Sequence, residues 1–269
     1  MYVIGTAGHV DHGKSSLVKA LTGINPDRLR EEQSRQMTIE LGFAWLNLPN
    51  GKEIGIIDVP GHRDFIDNML AGVGGIDAVL FVIASDEGVM PQTREHLAII
   101  DLLKIPRGIV IISKADLTPD SEWIELLTLE IREFLAGTVL QNSPIIPFSI
   151  HNIEDRETII SELEHLFQDQ PEHRDLNKPR IWIDRVFTIS GFGTVITGTL
   201  QDGIMRIGDE LEILPTGLKT RVRGLQTHKK EEQQAVPGSR VAVNLTGVKT
   251  DQIERGYLLS KPGTYKPTK

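Results

Sequence analysis

The stretch Gly8-His9-Val10-Asp11-His12-Gly13-Lys14-Ser15 decides the fold of this 269-residue chain. It is a complete G-x-x-x-x-G-K-[ST] phosphate-binding loop, with an apolar run at 2–6 before it and a helix-like stretch at 16–21 after it. Glycines let such a loop curl so that successive N–H groups point at phosphate oxygens, and the helix start adds a favourable partial charge. We therefore expect Lys14 to reach the outer phosphates of a nucleotide and the Ser15 hydroxyl to bind Mg²⁺.

A second motif supplies a carboxylate. Asp58-Val59-Pro60-Gly61 follows an apolar run, so Asp58 is predicted to end a strand beside the phosphate loop. Nucleoside-triphosphate hydrolases keep a second, water-mediated Mg²⁺ carboxylate at that place. His9 and His12, which flank Asp11, could instead indicate a zinc site. No further histidine-rich cluster lies nearby in the sequence, so a phosphate loop explains the segment better.

A third motif indicates which base is bound. The predicted strand 108–112 ends in Ser113-Lys114-Ala115-Asp116, a variant of the Asn-Lys-x-Asp guanine signature with serine in place of asparagine. In that signature the carboxylate accepts two hydrogen bonds from guanine, and the lysine stem covers the base. Adenine offers no matching pair of donors, so a buried Asp116 would reject ATP. The three motifs together predict a guanine-nucleotide hydrolase.

The pattern of apolar residues predicts an α/β P-loop GTPase domain followed by a small antiparallel β-barrel. Because strand-like and helix-like segments alternate in the first part, we expect a mainly parallel sheet with helices on both faces. Short β-branched runs separated by glycines then predict the barrel. We place the domains at 1–170 and 180–269, with a linker at 171–179. The predicted strands are 2–6, 41–48, 53–58, 77–84, 108–113 and 144–149, and the predicted helices are 14–22, 62–71, 92–103, 119–135 and 155–167.

Composition limits the class of protein further. The chain has no cysteine, so it has no disulfide framework, and no signal peptide or membrane-length apolar stretch is apparent. We expect a cytoplasmic protein. The net charge of −8 divides into −13 for residues 1–179 and +5 for residues 180–269. A basic second half suits a polyanionic partner, although +5 over ninety residues is also compatible with an ordinary surface.

Taken together, the motifs resemble a known family. Gly-His-Val-Asp-His-Gly-Lys, Asp-Val-Pro-Gly-His and the basic barrel are similar to the translational GTPases related to elongation factor Tu. Within them, Asn25-Pro26-Asp27-Arg28-Leu29-Arg30-Glu31-Glu32, the segment 37–43 and the segment 68–77 resemble the selenocysteine-specific elongation factors. A short segment between Lys14 and Thr38 and a non-asparagine residue at 113 fit that subfamily too. The sequence departs from it at Gln36, where a glycine is usual.

The resemblance implies roles for individual residues. Thr38 would bind Mg²⁺ in the GTP state and swing away after hydrolysis, and Gly61 would help to sense the γ-phosphate. His62 would orient the attacking water behind an apolar gate of Val10 and Met37. The implied GTP-binding set is Val10, Asp11, His12, Gly13, Lys14, Ser15, Ser16, Gly61, Ser113, Lys114, Asp116 and Ser149, and the implied metal set is Ser15, Thr38 and Asp58.

The resemblance also implies an aminoacyl pocket on the barrel, formed by Asp184, Arg185 and Arg240. Selenols are more acidic than thiols, so selenocysteine arrives as an anion that arginines can hold by charge-assisted hydrogen bonds. These arginines could also be ordinary surface residues or contacts to a tRNA backbone. The implied function is ribosome-stimulated GTP hydrolysis during delivery of selenocysteyl-tRNA.

Other functions and a longer chain stay open at this point. Another tRNA-carrying GTPase, similar to elongation factor Tu or to the gamma subunit of initiation factor two, shares the nucleotide motifs, and so does the GTPase subunit of ATP sulfurylase. The selenocysteine-specific factors continue into a third barrel and a C-terminal extension that recognises an mRNA hairpin. We therefore expect this chain to be an N-terminal two-domain fragment.

Overall fold

The computed structural model describes residues 1–27, 32, 38–62, 75–118, 120–171, 173–228 and 230–267. The chain divides into two compact units. One comprises Val3–Leu70 and Ile76–Gln170, and the other comprises Met1–Tyr2, Ala71–Gly75 and Pro171–Lys269. No helix in the described ranges is long and apolar enough to cross a membrane.

The first unit contains a six-stranded sheet with the order β2-β3-β1-β4-β5-β6. The β2–β3 pair is antiparallel, whereas β1–β4, β4–β5 and β5–β6 are parallel. The strands are β1 (Tyr2–Gly8), β2 (Gly42–Asn47), β3 (Glu53–Asp58), β4 (Ala78–Ala84), β5 (Gly108–Ser113) and β6 (Ile145–Pro147). The helices are α1 (Lys14–Thr22), α2 (Pro91–Leu102), α3 (Ser121–Leu135) and α4 (Ile153–Phe167).

Burial explains how this sheet positions the site. Every residue of β1, β4 and β5 is buried, as expected for central parallel strands covered on both faces. Since β1, β4 and β5 run in parallel, their carboxyl ends share one edge of the sheet, where the phosphate loop and Ser113 lie. The strand β6 is shorter than the predicted 144–149, although bonds from Val110 N–H to Pro144 and from Phe148 N–H to Ile112 continue its contact with β5 at both ends. The helix predicted at 62–71 lies, apart from His62, outside the described residues.

The second unit is an antiparallel barrel. Six strands form a closed ring in the order β11-β16-β7-β9-β15-β12, and β12 pairs back to β11. Alternate side chains point inward, and Ile181, Ile196, Val222 and Val243 are all in the core. The strands are β7 (Arg180–Trp182), β8 (Arg185–Ile189), β9 (Gly193–Gln201), β10 (Met205–Arg206), β11 (Glu210–Leu214), β12 (Leu218–Thr227), β13 (Lys230–Glu232), β14 (Gln234–Ala235), β15 (Arg240–Thr246) and β16 (Leu258–Ser260). The predicted fold class is thereby confirmed.

Candidate nucleotide-binding site

The phosphate loop joins β1 to α1 in a conformation that its glycines permit. Gly8 has φ of 135°, and a Cβ there would lie 2.1 Å from the Val82 carbonyl oxygen. Gly13 caps α1 in the left-handed region, with φ of 81°. The buried Lys14 ammonium donates to the carbonyl oxygens of Gly8 at 3.1 Å and His9 at 2.6 Å. The loop therefore curls around the lysine that the sequence predicted to bind phosphates.

A cavity of about 570 Å³ lies over this loop. It brings together the predicted residues of the phosphate loop, apart from His12, with Thr38 and Gly61. It also includes residues that the sequence did not single out, among them Asp27 and Glu32. The lining comprises Val10, Asp11, Gly13, Lys14, Ser15, Ser16, Lys19, Asn25, Asp27, Glu32, Thr38 and Gly61.

Four oxygen-bearing side chains converge beside the loop. The Ser15 hydroxyl donates to Asp58 Oδ2 at 2.6 Å and lies 2.8 Å from Thr38 Oγ1. Thr38 Oγ1 in turn donates to Asp27 Oδ1 at 2.9 Å. The other carboxylate oxygen of Asp58 accepts from Thr6 on β1 at 2.7 Å. Ser15, Thr38 and Asp58, predicted as the metal set, therefore do lie together, and Asp27 is an addition to them.

The donor chemistry of this cluster fits Mg²⁺. Magnesium prefers oxygen ligands and keeps several waters, so two hydroxyls with nearby carboxylates suffice. Within the described ranges, no group of three or more His, Cys, Asp or Glu residues could hold a metal ion. The zinc alternative also fails on geometry. His12 is fully buried, with Nδ1 3.3 Å from the Val82 carbonyl and Nε2 3.1 Å from Glu87.

Burial perturbs the charges at the site. It raises the pKa of Asp58 to about 6, although hydrogen bonds from Ser15 and Thr6 and the charge of Lys14 oppose the shift. Burial lowers the pKa of Lys14 to about 8, against the opposing charge of Asp58. Burial likewise raises the pKa of Asp27. Two carboxyls and an ammonium are thus held partly dry, where added phosphate or cation charges interact strongly.

Gly61 approaches the phosphate loop too closely for any other residue. A Cβ at this position would lie 2.4 Å from Lys14 Nζ and 2.7 Å from the Val10 backbone nitrogen. The backbone of Gly61 consequently borders the cavity, where it can sense a terminal phosphate. His62 follows it and is half-buried, but it is outside the cavity lining. Met37, the second residue of the implied apolar gate, lies outside the described residues.

The base segment, residues 113–118, follows β5. The Ser113 hydroxyl donates to the His12 carbonyl oxygen at 2.6 Å and so ties this segment to the phosphate loop. Lys114 has φ of 55°, and its ammonium pairs with Asp86 at 3.1 Å. Asp116 is exposed rather than buried, which corrects the sequence-based expectation, because the segment leaves the sheet as an open turn.

Two more predicted residues are placed by their backbones. The buried Ser149 follows β6, and its N–H donates to Asp155 at 2.8 Å. The preceding Phe148 carbonyl accepts from the Ala115 N–H at 3.2 Å, so this loop borders the base segment. His12 can serve a nucleotide only through its main chain, since its ring is buried. Burial lowers the pKa of His12 to about 3, so the ring is neutral and its single N–H serves one acceptor.

Three contributing residues were not predicted. Asp27 joins the oxygen cluster, and the buried Glu32 accepts from the N–H groups of Ile39 at 3.1 Å and Glu40 at 3.0 Å. His96, on α2, accepts from the Gly8 N–H at 3.0 Å through Nδ1. Burial lowers the pKa of His96 to about 3, which keeps that nitrogen an acceptor. Asp27 and Glu32 do stand in the Asn25–Glu32 signature, but nothing in the sequence marks His96.

The implied aminoacyl residues lie on neighbouring strands of the barrel. Arg240, on β15, makes a bidentate contact to Asp184, at 2.5 Å and 2.9 Å, and Asp184 also accepts from Thr197 at 2.6 Å. Arg185 opens β8 and pairs with Thr197, two residues from the β9 partner of Arg240. The side chain of Arg240 is only 15% exposed and that of Asp184 3%. Arg240 is therefore already neutralised within the barrel.

Comparison with known proteins identifies relatives of both units. The family described as "Elongation factor Tu GTP binding domain" matches residues 1–169, and "Elongation factor Tu domain 2" matches residues 193–260. A selenocysteine-specific elongation factor from Desulfomicrobium baculatum is 50% identical over 269 residues. That alignment covers 99% of this chain and 42% of the relative, so the chain spans less than half of its length.

Solved structures agree with these relatives. The crystal structure of a bacterial selenocysteine-specific elongation factor, EF-Sec, superposes with a TM-score of 0.91 at 36% identity, covering 98% of this chain and 45% of that one. Elongation factor SelB from Methanococcus maripaludis, in complex with the GTP analogue GppNHp, gives 0.84 at 32% identity, with 98% and 55% covered. The similarity to selenocysteine-specific elongation factors that the sequence predicted is thus confirmed. The chain belongs to the family of GTP-binding domains typified by elongation factor Tu, and it carries a second domain of the elongation factor Tu type.

Proposed function

We propose that this chain is the GTP-binding and GTP-hydrolysing part of an elongation factor that delivers selenocysteyl-tRNA to the ribosome in the cytoplasm. In this proposal residues 1–170 bind the nucleotide, residues 180–269 bind the aminoacyl end, and 171–179 link them. The observation that carries it is the convergence of Lys14, Ser15 and Thr38 on one cavity beside the phosphate loop, with the buried Asp58 bonded to Ser15. The 50% identity to a selenocysteine-specific factor supports the choice of tRNA.

Each nucleotide contact follows from the site. Backbone N–H groups from Val10 to Ser16 surround the β-phosphate, and Lys14 exchanges its contacts to two carbonyl oxygens for phosphate oxygens. Ser15 and Thr38, with Asp58 beside them, would hold Mg²⁺. When bound, the cation would supply positive charge next to the phosphates. Asp116 binds guanine, Lys114 covers the base, and the Ser113 and Ser149 loops shape its pocket.

Hydrolysis depends on positioning more than on a strong base. His62 adjoins Gly61, whose backbone borders the cavity, so a small movement of this turn brings the imidazole toward a water at the γ-phosphate. A ribosome that fixes this movement would stimulate hydrolysis. The isolated chain is expected to hydrolyse GTP slowly.

On the barrel, we propose that Asp184 aligns Arg240 rather than binding selenocysteine itself. The Arg240 guanidinium is held in one plane, because it donates to both carboxylate oxygens of Asp184 and to Thr197 Oγ1 at 3.3 Å. Arg185 lies on the same outer face, since its β9 partner Thr197 and the Arg240 partner Thr199 are two residues apart. The two arginines can then share one selenolate, while the net charge of +5 of residues 180–269 favours the tRNA backbone.

Two experiments test the proposal. The 269-residue chain should bind GDP and GTP in the presence of Mg²⁺ and should bind ADP and ATP at least about 100-fold more weakly. A chain extended to the length of its relatives should then retain selenocysteyl-tRNA on a filter in preference to seryl-tRNA and other charged tRNAs. Equal retention of another charged tRNA would favour a general tRNA carrier. Retention of none would favour a regulatory GTPase such as the ATP sulfurylase subunit.

A further inference from the structure

Ser85 connects β4 to the base segment. It follows β4 directly and is completely buried. Its N–H donates to the Ser113 carbonyl at 2.9 Å, and its hydroxyl donates to the Lys114 carbonyl at 2.7 Å. The same hydroxyl accepts from Thr118 Oγ1 at 2.7 Å, and the Ser85 carbonyl accepts from the indole N–H of Trp123 at 2.9 Å. Every polar group of this small residue is therefore bonded to the base segment or to α3.

The base segment needs such support from outside itself. The single hydroxyl proton of Ser113 is used on the His12 carbonyl, whereas the asparagine usual at this position has two amide donors and an acceptor. Lys114 has φ of 55°, a left-handed conformation that non-glycine residues keep only where neighbours impose it. The Ser85 hydroxyl bonds to the carbonyl of that same residue. It thus holds the strained turn from which Asp116 projects.

We propose that Ser85 is a positioning residue for guanine recognition, and this rests on the proposed function of the site. The hydroxyl touches no nucleotide. It fixes the Lys114 backbone, which sets the place of the Asp116 carboxylate relative to the guanine amino group. Thr118 orients the hydroxyl by donating to it, so that its proton is directed at the Lys114 carbonyl. The Lys114 carbonyl also accepts from the Leu117 N–H at 2.9 Å, which lies in the same segment. Without the Ser85 hydroxyl this carbonyl loses its bond to β4, the turn is free to shift relative to the sheet, and the carboxylate meets the base less well.

The test compares GDP with inosine diphosphate, which lacks the amino group that Asp116 would bind. Ser85→Ala in the 269-residue chain should weaken GDP binding about tenfold and inosine diphosphate binding by less, because inosine keeps only one of the two donors that Asp116 would bind. Competition against a fluorescent GDP measures both affinities. The quantity to compare is the ratio of GDP affinity to inosine diphosphate affinity. Ser85→Cys, with a weak S–H donor, should give a ratio between those of the wild type and Ser85→Ala. The matched control is Thr128→Ala on α3, whose hydroxyl donates only within its helix, to Ile124, and which should leave the ratio unchanged.

A role for Ser85 in the fold alone would weaken both nucleotides equally, and that result overturns the proposal. Should Ser85→Ala fail to fold, Thr118→Ala removes the donor from a half-buried position and should lower the same ratio about two- to threefold. An unchanged ratio in Thr118→Ala would then overturn it. A wild-type chain that binds GDP and inosine diphosphate equally would instead remove Asp116 from the base site, and with it both the guanine assignment and the role of Ser85.

Discussion

Replacing Asp58 by asparagine is expected to stabilise the nucleotide-free protein at neutral pH and to weaken its Mg²⁺-dependent affinity for nucleotide. Asp58 is fully buried, and burial raises its pKa from 3.8 to about 6. Because the folded state binds this proton more tightly than the unfolded chain, the contribution to stability is complete below about pH 3.8 and is lost as the pH rises through about 6. Asparagine has nearly the same shape, and its amide can still serve Thr6 and Ser15.

The magnitude follows from the two pKa values. One pKa unit corresponds to about 1.4 kcal/mol, so the ionised carboxylate costs about 3 kcal/mol of unfolding free energy at a pH of about 7.5. At a pH of about 4.5 the loss of unfolding free energy is only about 1 kcal/mol, because Asp58 is protonated in most of the folded protein. The increase in unfolding free energy caused by Asp58→Asn should therefore be about threefold larger at a pH of about 7.5 than at a pH of about 4.5.

Urea unfolding in EDTA, at pH values of about 4.5, 6 and 7.5, measures this gain. Asp169→Asn, on an exposed residue, is the control and should shift stability by less than about 0.5 kcal/mol throughout. Addition of Mg²⁺ and GDP should stabilise the wild type more than the variant, because ligand binding to the folded state adds to stability. A gain that does not change with pH, or a variant less stable than wild type at about pH 7.5, would refute the reasoning.

Three further predictions concern the other sites. Asp116→Asn should weaken GTP by about 1.5–3 kcal/mol and shift preference toward xanthosine triphosphate, measured by competition; unchanged GTP affinity would exclude Asp116 from the base site. His62→Ala, in a chain of full length, should keep its nucleotide affinity and lose at least about 100-fold in ribosome-stimulated hydrolysis, so a wild-type rate would mean that another group orients the water. Arg185→Ala should weaken the binding of selenocysteyl-tRNA about 10- to 100-fold and change the binding of seryl-tRNA little, as measured by filter binding. Arg240→Ala should in addition destabilise the barrel by about 3–5 kcal/mol, because the buried Asp184 carboxylate loses its cationic partner; equal losses of affinity for both tRNAs would assign the arginines to the tRNA backbone or the fold.

Sequence patterns predicted the fold well where local residues determine it. The strands β3 and β5 have the predicted bounds, 53–58 and 108–113, because apolar runs there end at polar or turn residues. The barrel was predicted as a class, but its pairing order was not. The ring closes through contacts such as β7 with β16, which lie far apart in sequence, and short strands carry no local signal of their partners.

The candidate site divides in the same way. The phosphate loop could be located from the sequence because its motif consists of eight consecutive residues. Five of them, Val10, Asp11, Gly13, Lys14 and Ser15, line the cavity, and their binding of phosphate stays a prediction. His96 was missed because it reaches Gly8 across 88 residues of sequence, through the packing of α2. The expectation of a buried Asp116 was wrong because this residue lies in the exposed turn after β5 and not in the sheet itself.

The hydrogen bond from Ser113 to His12 has a thermodynamic consequence, because it joins two recognition elements separated by 101 residues. We expect a ligand at only one of them, such as guanosine or pyrophosphate, to favour the bound conformation of the other through this bond without contacting it. A whole nucleotide would bind both elements at once, each in the conformation that the other favours. Its binding free energy should therefore exceed the sum for its two halves, and the advantage is reciprocal, since each half strengthens the other by the same factor.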